Sequence, residues 1–292
     1  MMKINTIYNE NCLDTMSRMI DNFIDLTVTS PPYDNLRDYK GYSFDFESIA
    51  KELFRIIKKG GVVVWVVGDA TINGSETGTS FKQALYFKEI GFNLHDTMIY
   101  QKTLNGCLGS NFTYLQNFEY MFVFSKGKPR AINLLKDREN KATQGKVKTR
   151  GHYKPNGQSD FRIIERKPFG TRSNIWEINP QKNSKHPATF PEKLAQDHIK
   201  TWSNESDLVY DPMCGSGTTL KMAHLLKRNW IGSEISKEYC ELTKQRLDIK
   251  DTIQLKNPRL QRYIKIDRTN GIIISHKKTP GPYKNIPIIR HP

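Results

Sequence analysis

The stretch LVYDPMCGSGTTL, Leu208–Leu220, decides the fold. A short aliphatic run leads into a loop with the small residues Gly215, Ser216 and Gly217, a helical pattern follows, and a second strand-like run ends at Glu234. In parallel α/β folds such a loop lets the backbone approach a ligand, and the acidic residue accepts hydrogen bonds from ribose hydroxyls. The stretch therefore predicts an α/β fold with a nucleoside site. It matches neither GxGxxG nor GxxxxGK[ST], so dinucleotide and Walker A sites fit it poorly.

The rest of the chain alternates strand-like and helix-like segments, which is typical of a parallel α/β sheet. We expect Ser80 to cap the third helix and a further helix to follow Pro191. The expected strands are Ile4–Tyr8, Ile24–Thr29, Val62–Val67, Asn93–Tyr100, Phe118–Phe124, Leu208–Tyr210 and Trp230–Ser233. The expected helices are Asp14–Ile20, Glu47–Lys58, Ser80–Ile90, Thr219–Lys227 and Lys237–Leu247.

A second signal is TSPPY, Thr29–Tyr33, at the end of a buried strand. Pro31 and Pro32 fix φ and lack N–H groups, so the carbonyls of Ser30 and Pro31 can point at a substrate amine. The Tyr33 ring offers a surface on which a planar base could stack. Open α/β sheets bind ligands beyond the carboxyl ends of their strands, so this segment is a candidate active site, with an ordinary proline turn as the alternative.

The charge of the chain is unevenly distributed. The 292 residues carry a net charge of +15, of which Lys126–Lys185 contributes +11 and Asp251–Pro292 contributes +7. Two basic segments on a nearly neutral body indicate a polyanionic partner that is contacted by a dedicated region and by a tail. The structure of the tail is not predicted by its pattern.

Composition excludes several classes of protein. The four cysteines are scattered, with no CxxC pair and no histidine cluster beside them, which favours a reducing compartment and argues against structural zinc. The aliphatic run Val62–Val67 is far shorter than the roughly 20 residues of a membrane-spanning helix. The first residues, MMKINTIYNEN, contain no apolar core of a signal peptide. We therefore expect no membrane association.

Taken together, these motifs resemble the amino-group DNA methyltransferases that use S-adenosylmethionine. TSPPY is similar to their catalytic [D/N/S]PP[Y/F] motif and DPMCGSGTT to their cofactor motif, and HPATFPEKLA (His186–Ala195) is similar to the segment that precedes the cofactor motif in one subgroup. The likeness spans Tyr8 to about Leu247. The catalytic motif comes first, a basic insert follows and the cofactor motif comes last, which is the order of the β group.

This resemblance implies a Rossmann-like methyltransferase sheet, circularly permuted, with an inserted target-recognition module. It divides the chain into residues 1–125, the catalytic half of the methyltransferase domain, and 126–185, the target-recognition insert. Residues 186–250 form the cofactor-binding half, and 251–292 form a basic C-terminal appendage.

The resemblance also assigns roles to individual residues. A flipped base would be held by Ser30, Pro31, Pro32 and Tyr33. The cofactor, S-adenosylmethionine, would be bound by Asn11, Pro187, Phe190, Asp211, Pro212, Gly215, Ser216, Gly217, Thr218 and Glu234, with Glu234 on its ribose. Asn11 stands where the family usually has an aspartate that contacts the adenine amino group.

The implied reaction is methylation of double-stranded DNA, and we favour the exocyclic N4 of cytosine because Ser30 begins the catalytic motif. N6-adenine methylation is the main alternative, and a non-catalytic recognition subunit and methylation of RNA or of a protein glutamine remain open. Cytosine C5 chemistry needs a thiolate on a Pro-Cys pair, which the sequence lacks. The expected location is the prokaryotic cytoplasm. Besides DNA, a cognate restriction endonuclease is an expected partner.

Overall fold

The computed structural model describes residues 2–32, 44–103, 113–141, 145–153, 157, 159–179, 191–247, 252–257, 262–267, 273–277 and 281–283. The helices of these ranges are α1 (Cys12–Ser17), α2 (Phe46–Ile56), α3 (Thr79–Glu89), α4 (Glu192–Trp202), α5 (Thr218–Leu225) and α6 (Lys237–Leu247). Their strands are β1 (Thr6–Tyr8), β2 (Ile24–Thr29), β3 (Ile57–Val67), β4 (Thr71–Ile72), β5 (Ser75–Glu76), β6 (Asn93–Gln101), β7 (Phe118–Ser125), β8 (Arg138–Glu139), β9 (Gly145–Tyr153), β10 (Ser159–Arg166), β11 (Phe169–Gly170), β12 (Ile175–Glu177), β13 (Leu208–Asp211), β14 (Asn229–Ser233), β15 (Thr252–Asn257), β16 (Arg262–Asp267) and β17 (Ile273–His276).

One eight-stranded sheet forms the centre of the molecule, in the order β1-β14-β13-β2-β3-β7-β6-β12. The strands from β1 to β3 are parallel to one another, and β7 runs antiparallel to both of its neighbours. The predicted α/β sheet is confirmed. Because β2 and β13 are adjacent and parallel, the two predicted motifs begin at the same edge of the sheet.

Helices cover both faces of this sheet, which explains the apolar run Val62–Val67 of β3. Val63 and Trp65 pack with residues of α1, α2 and α3 on one side, whereas Val62 and Val64 pack with residues of α4 and α5 on the other. All six residues of β2 are buried as well. A strand buried on both faces needs apolar residues at successive positions, which explains the continuous hydrophobic runs in the sequence.

The start of α3 corrects one expectation. Ser80 is not the N-cap, because the helix begins at Thr79 after Gly78, which has a left-handed backbone. The carboxylate of Asp69, just after β3, accepts hydrogen bonds from the Ser80 N–H at 2.8 Å and from its hydroxyl at 2.5 Å. The cap is therefore supplied from a neighbouring strand end. Similarly, α2 ends at Ile56 and β3 begins at Ile57, so strand replaces the last predicted helical residues.

The segment predicted as an insert contains elements of two kinds. Strand β12 pairs with β6 and belongs to the large sheet, whereas β9 and β10 form a separate antiparallel hairpin and β8 pairs with β11. The tail folds into a three-stranded antiparallel sheet, β15-β16-β17. The boundaries 126–185 and 251–292 stay predictions. Within the described ranges, no helix has the length and apolar character needed to cross a bilayer.

Candidate active site

A buried hydrogen bond joins the two motif strands at the carboxyl edge of the sheet. The Thr29 hydroxyl, on the last residue of β2, donates to Asp211 Oδ1 at 2.8 Å. The Thr219 hydroxyl, in α5, donates to the Val28 carbonyl at 3.0 Å. Ser30 follows Thr29 directly. The two predicted motif segments are thus fixed against each other, although Thr29 and Asp211 are 182 positions apart.

Asp211 organises the turn that leaves β13. Its side chain is 2% exposed, and its Oδ1 also accepts the Met213 N–H at 3.2 Å. Burial raises the pKa of Asp211 to about 6, while the hydrogen bonds from Thr29 and Met213 act to lower it. The carboxylate therefore holds the loop from inside the protein.

The glycine loop needs two left-handed backbone positions and lies tightly against α6. Gly215 has φ of 51° and Gly217 has φ of 74°. A Cβ atom on Gly217 would lie 2.3 Å from Thr243 Cγ2, so a larger residue has no space there. The Thr243 hydroxyl donates to the Gly215 carbonyl at 2.9 Å. The small residues of the motif are therefore required by packing as well as by backbone conformation.

Glu234 lies beside this loop at the end of β14. Its Oε2 accepts the Gly215 N–H and its Oε1 accepts the Ser236 N–H, each at 2.9 Å. Burial raises the pKa of Glu234 above its ordinary value, and both amide donors oppose the shift. The Asn9 side-chain amide, from the end of β1, donates to the carbonyls of Glu234 and Ile235 at 2.9 Å. The carboxylate is thus held in a fixed position.

Arg246 of α6 holds the outer side of the glycine loop. It donates to the Ser216 carbonyl at 2.5 Å, to the Ser216 hydroxyl at 2.8 Å and to the Thr218 hydroxyl at 3.3 Å. Its other terminal nitrogen donates to Glu192 Oε1 at 2.8 Å, which Lys221 also contacts at 2.7 Å. Burial acts to raise the pKa of Glu192, but the two cations hold it below its ordinary value. This network fixes α4, α5 and α6 around the loop.

The described part of the chain contains most of the predicted site residues. The carboxyl edge brings together Ser30, Pro31, Pro32, Asp211, Pro212, Gly215, Ser216, Gly217, Thr218 and Glu234. Asn11 begins α1, and its amide oxygen accepts the Leu13 N–H at 2.9 Å as a helix cap. Tyr33, Pro187 and Phe190 lie outside the described residues.

Sequence reasoning missed four residues that position the site: Asn9, Thr29, Glu192 and Arg246. Each one acts on a residue that is distant in the chain, so no local spacing indicates it. Thr29 alone had a signal, since it is a polar residue at the end of a buried strand beside a candidate motif.

The fold and the site define a class of protein, and comparison with known families identifies it. Residues 24–245 match the family model described as DNA methylase. The chain therefore belongs to the DNA methylase family. It is a DNA methyltransferase of the N4/N6 group.

Individual relatives agree with this assignment. The orphan methyltransferase M.BamHII of Bacillus amyloliquefaciens is 59% identical over 238 residues, which cover 78% of this chain and 89% of that protein. The type II methyltransferase M.BglII of Bacillus subtilis is 25% identical over 284 residues, covering 92% of this chain and 76% of that protein.

Solved structures confirm the Rossmann-like methyltransferase fold. The cytosine-N4-specific PvuII DNA methyltransferase aligns with a TM-score of 0.61 at 20% identity, covering 82% of this chain and 85% of that one. The M1.HpyAVI–SAM complex aligns with a TM-score of 0.57 at 22% identity, covering 83% of this chain and 99% of that one. The circular permutation implied by the order of the motifs stays a prediction.

Proposed function

We propose that this DNA methyltransferase transfers the methyl group of S-adenosylmethionine to the exocyclic N4 of a cytosine flipped out of double-stranded DNA. The observation that carries the proposal is the buried hydrogen bond between Thr29 and Asp211. It fixes the catalytic motif and the glycine loop side by side, so a base amine and a methyl donor bound to them would be close together.

The residues of the glycine loop fit S-adenosylmethionine by their chemistry. Each oxygen of the Glu234 carboxylate accepts one backbone N–H, and a carboxylate oxygen has capacity for a second bond, so ribose hydroxyls can still donate to it. Gly215 and Gly217 leave the loop surface without side chains. Asn11 has one remaining acceptor position on its amide oxygen for the adenine amine. Bound S-adenosylmethionine would supply an electrophilic methyl group on its sulfonium.

The catalytic segment would activate the amine by accepting its hydrogens. An exocyclic amine shares its lone pair with the aromatic ring and becomes nucleophilic when acceptors hold its hydrogens and let the nitrogen pyramidalise. The Ser30 hydroxyl and the Pro31 carbonyl are acceptors of this kind, and Tyr33 would stack on the base. The transfer then depends on positioning and electrostatics and requires no covalent enzyme intermediate.

The preference for cytosine rests on Ser30. An aspartate at this position, common in adenine enzymes of the family, would accept the amine proton more strongly than a neutral hydroxyl does. The proposal follows the resemblance of SPPY to the motif of the N4-cytosine group.

The β9–β10 hairpin is the element of the predicted insert best suited to read DNA. It exposes Phe161 and Ile163, and the Lys148 ammonium lies 4.7 Å from the centre of the Phe161 ring. A two-stranded ribbon with cationic side chains fits the width of a major groove. A cognate restriction endonuclease stays a prediction from the sequence.

Nucleoside mass spectrometry of duplex DNA treated with the purified protein and S-adenosylmethionine tests the reaction. N4-methylcytosine is expected, N6-methyladenine alone would establish the alternative, and unmodified DNA would refute the proposal. Ser30→Ala should lower kcat by about a hundredfold, because one acceptor of the amine is lost. The matched control Ser17→Ala, on the exposed surface of α1, should leave kcat unchanged.

Calorimetry tests the cofactor assignment separately. Glu234→Ala should weaken S-adenosylmethionine binding by roughly 10- to 150-fold, the effect of losing a hydrogen bond to a charged group. Glu241→Ala removes an exposed glutamate of α6 and is the control. Unchanged affinity in a folded Glu234→Ala variant would remove Glu234 from the cofactor site.

A further inference from the structure

The C-terminal sheet β15-β16-β17 lies beyond the residues that match the DNA methylase family, and the proposed reaction gives it no role. Tyr283 closes one of its faces. The Gln254 side chain donates to the Tyr283 carbonyl at 2.9 Å and accepts the Tyr283 N–H at 2.6 Å, and the Tyr283 and Ser275 hydroxyls are 2.9 Å apart. The Lys277 ammonium donates to the Pro282 carbonyl at 2.5 Å. These hydrogen bonds fix the Tyr283 segment against the C-terminal sheet.

The strand register places three lysines on the face that Tyr283 closes. Lys256 pairs with Tyr263, and the Lys277 N–H donates to the Tyr263 carbonyl at 2.9 Å, so these three residues form one row across the sheet. Lys265 stands in the next row, two residues after Tyr263 on the same strand. Cross-strand partners and alternate residues of a strand share a face.

We call this surface, formed by Lys256, Tyr263, Lys265, Lys277 and Tyr283, the tyrosine face. The Lys277 ammonium lies 5.6 Å from the centre of the Tyr283 ring. Within the described residues, Lys256 and Lys265 form no ion pair. The acidic residue of these strands, Asp267, follows Lys265 by two positions and pairs with Thr252, one row beyond Lys265 and two rows beyond Lys256.

We propose that the tyrosine face binds the phosphate backbone of duplex DNA without reading its sequence. The ammonium groups of Lys256 and Lys265 and the Tyr263 hydroxyl are donors that suit phosphate oxygens, and the whole segment 251–292 carries +7. The opposite face is more apolar, since it carries Leu255, Ile264 and Ile266 and has one cation in these strands, Arg262, against the three lysines of the tyrosine face. The polyanion therefore meets the tyrosine face. This surface takes duplex DNA as the substrate from the proposed function but does not depend on which base is methylated.

Charge removal in the full-length protein tests this surface. In Lys256→Gln/Lys265→Gln, affinity for a target duplex and for a random duplex should fall by similar factors in fluorescence anisotropy titrations. Two lost phosphate contacts should reduce the slope of log affinity against log salt by about 1.8, at about 0.9 for each contact. Lys256→Arg/Lys265→Arg keeps both charges and should bind as the wild type does.

The matched control is Lys51→Gln/Lys88→Gln, which removes two charges from exposed positions of α2 and α3 and should leave the salt slope unchanged. An unchanged slope in Lys256→Gln/Lys265→Gln, or a loss confined to the target duplex, would overturn the proposal. If the double variant is unfolded by circular dichroism, Lys256→Gln alone should lower the slope by about 0.9. A wild type that binds DNA but does not methylate it would refute the proposed function and leave this test valid.

Discussion

Replacing Thr29 with valine would remove the hydrogen bond that joins β2, which leads into the predicted catalytic motif, to the start of the glycine loop, with little change in side-chain volume. The chain offers a matched control two positions earlier. Thr27 lies on the same strand and is also fully buried, but within the described part of the chain its hydroxyl has no hydrogen-bond partner. Thr27→Val should therefore be neutral or stabilising, because it removes a buried unsatisfied polar group.

The cost of Thr29→Val should depend on pH, because its partner Asp211 titrates. The pKa of Asp211 is raised to about 6, so the carboxyl is ionised in the folded protein above that pH and protonated below it. A hydrogen bond to a charged acceptor contributes about 1.5–3 kcal/mol and one to a neutral acceptor about 0.5–1.5 kcal/mol. Thr29→Val should thus lower the free energy of unfolding by about 1.5–3 kcal/mol at pH 8 and by about 0.5–1.5 kcal/mol at pH 4.5.

Urea unfolding of the wild type and both variants at the two pH values measures these differences. The denaturant slope should be unchanged, since neither substitution alters the surface exposed on unfolding. Methyl transfer by Thr29→Val should fall mainly in kcat, because the two motifs lose their fixed relation. Equal stability of Thr29→Val and Thr27→Val at pH 8 would refute the argument that this bond couples the motifs.

Three further predictions concern the same loop. Gly217→Ala should lower the free energy of unfolding by about 2–5 kcal/mol, because alanine is strained in a left-handed backbone and its Cβ would overlap Thr243. The control Gly74→Ala, at φ of 79° with open space around it, should lower it by only about 1–2 kcal/mol. Equal losses in urea unfolding would contradict the packing argument. Arg246→Lys should raise KM for S-adenosylmethionine with a smaller change in kcat, because a single ammonium cannot replace the guanidinium fork, and steady-state kinetics showing only a kcat loss would contradict it. Because the pKa of Asp211 is raised in the folded protein, the contribution of Asp211 to stability is complete below about pH 4 and is lost as the pH rises through about 6. The difference in unfolding free energy between wild type and Asp211→Asn should therefore change across that window and stay constant above it. A difference independent of pH in urea unfolding would contradict this prediction.

Most of the central sheet could be predicted because its strands are buried on both faces and its helices have one apolar side. The loop at Gly217 could be predicted because its residue types are restricted by backbone geometry. The contacts that hold the site could not, since the bond from Thr29 to Asp211 depends on which strands are neighbours, and sequence spacing does not give strand order. The cap of α3 was predicted wrongly because the side chain that accepts the Ser80 N–H belongs to Asp69, in the connection between β3 and α3, and residue type at Ser80 does not indicate it.

A long segment can separate the two predicted motifs because strand pairing, and not chain order, brings them together. Lengthening a connection raises its closure entropy only logarithmically, so an insert of this size adds little cost. Two cations of the predicted insert anchor it: the Lys126 ammonium donates to the Phe54 carbonyl at 2.6 Å, and Arg172 bridges Asp137 and Asp197. Lys126 and Arg172 lie on either side of the β9–β10 hairpin, and among the described strands β9 and β10 pair only with each other. Under the proposed function, a change of hairpin sequence should therefore alter the surface offered to DNA while the pairing of β2 with β13 is unchanged.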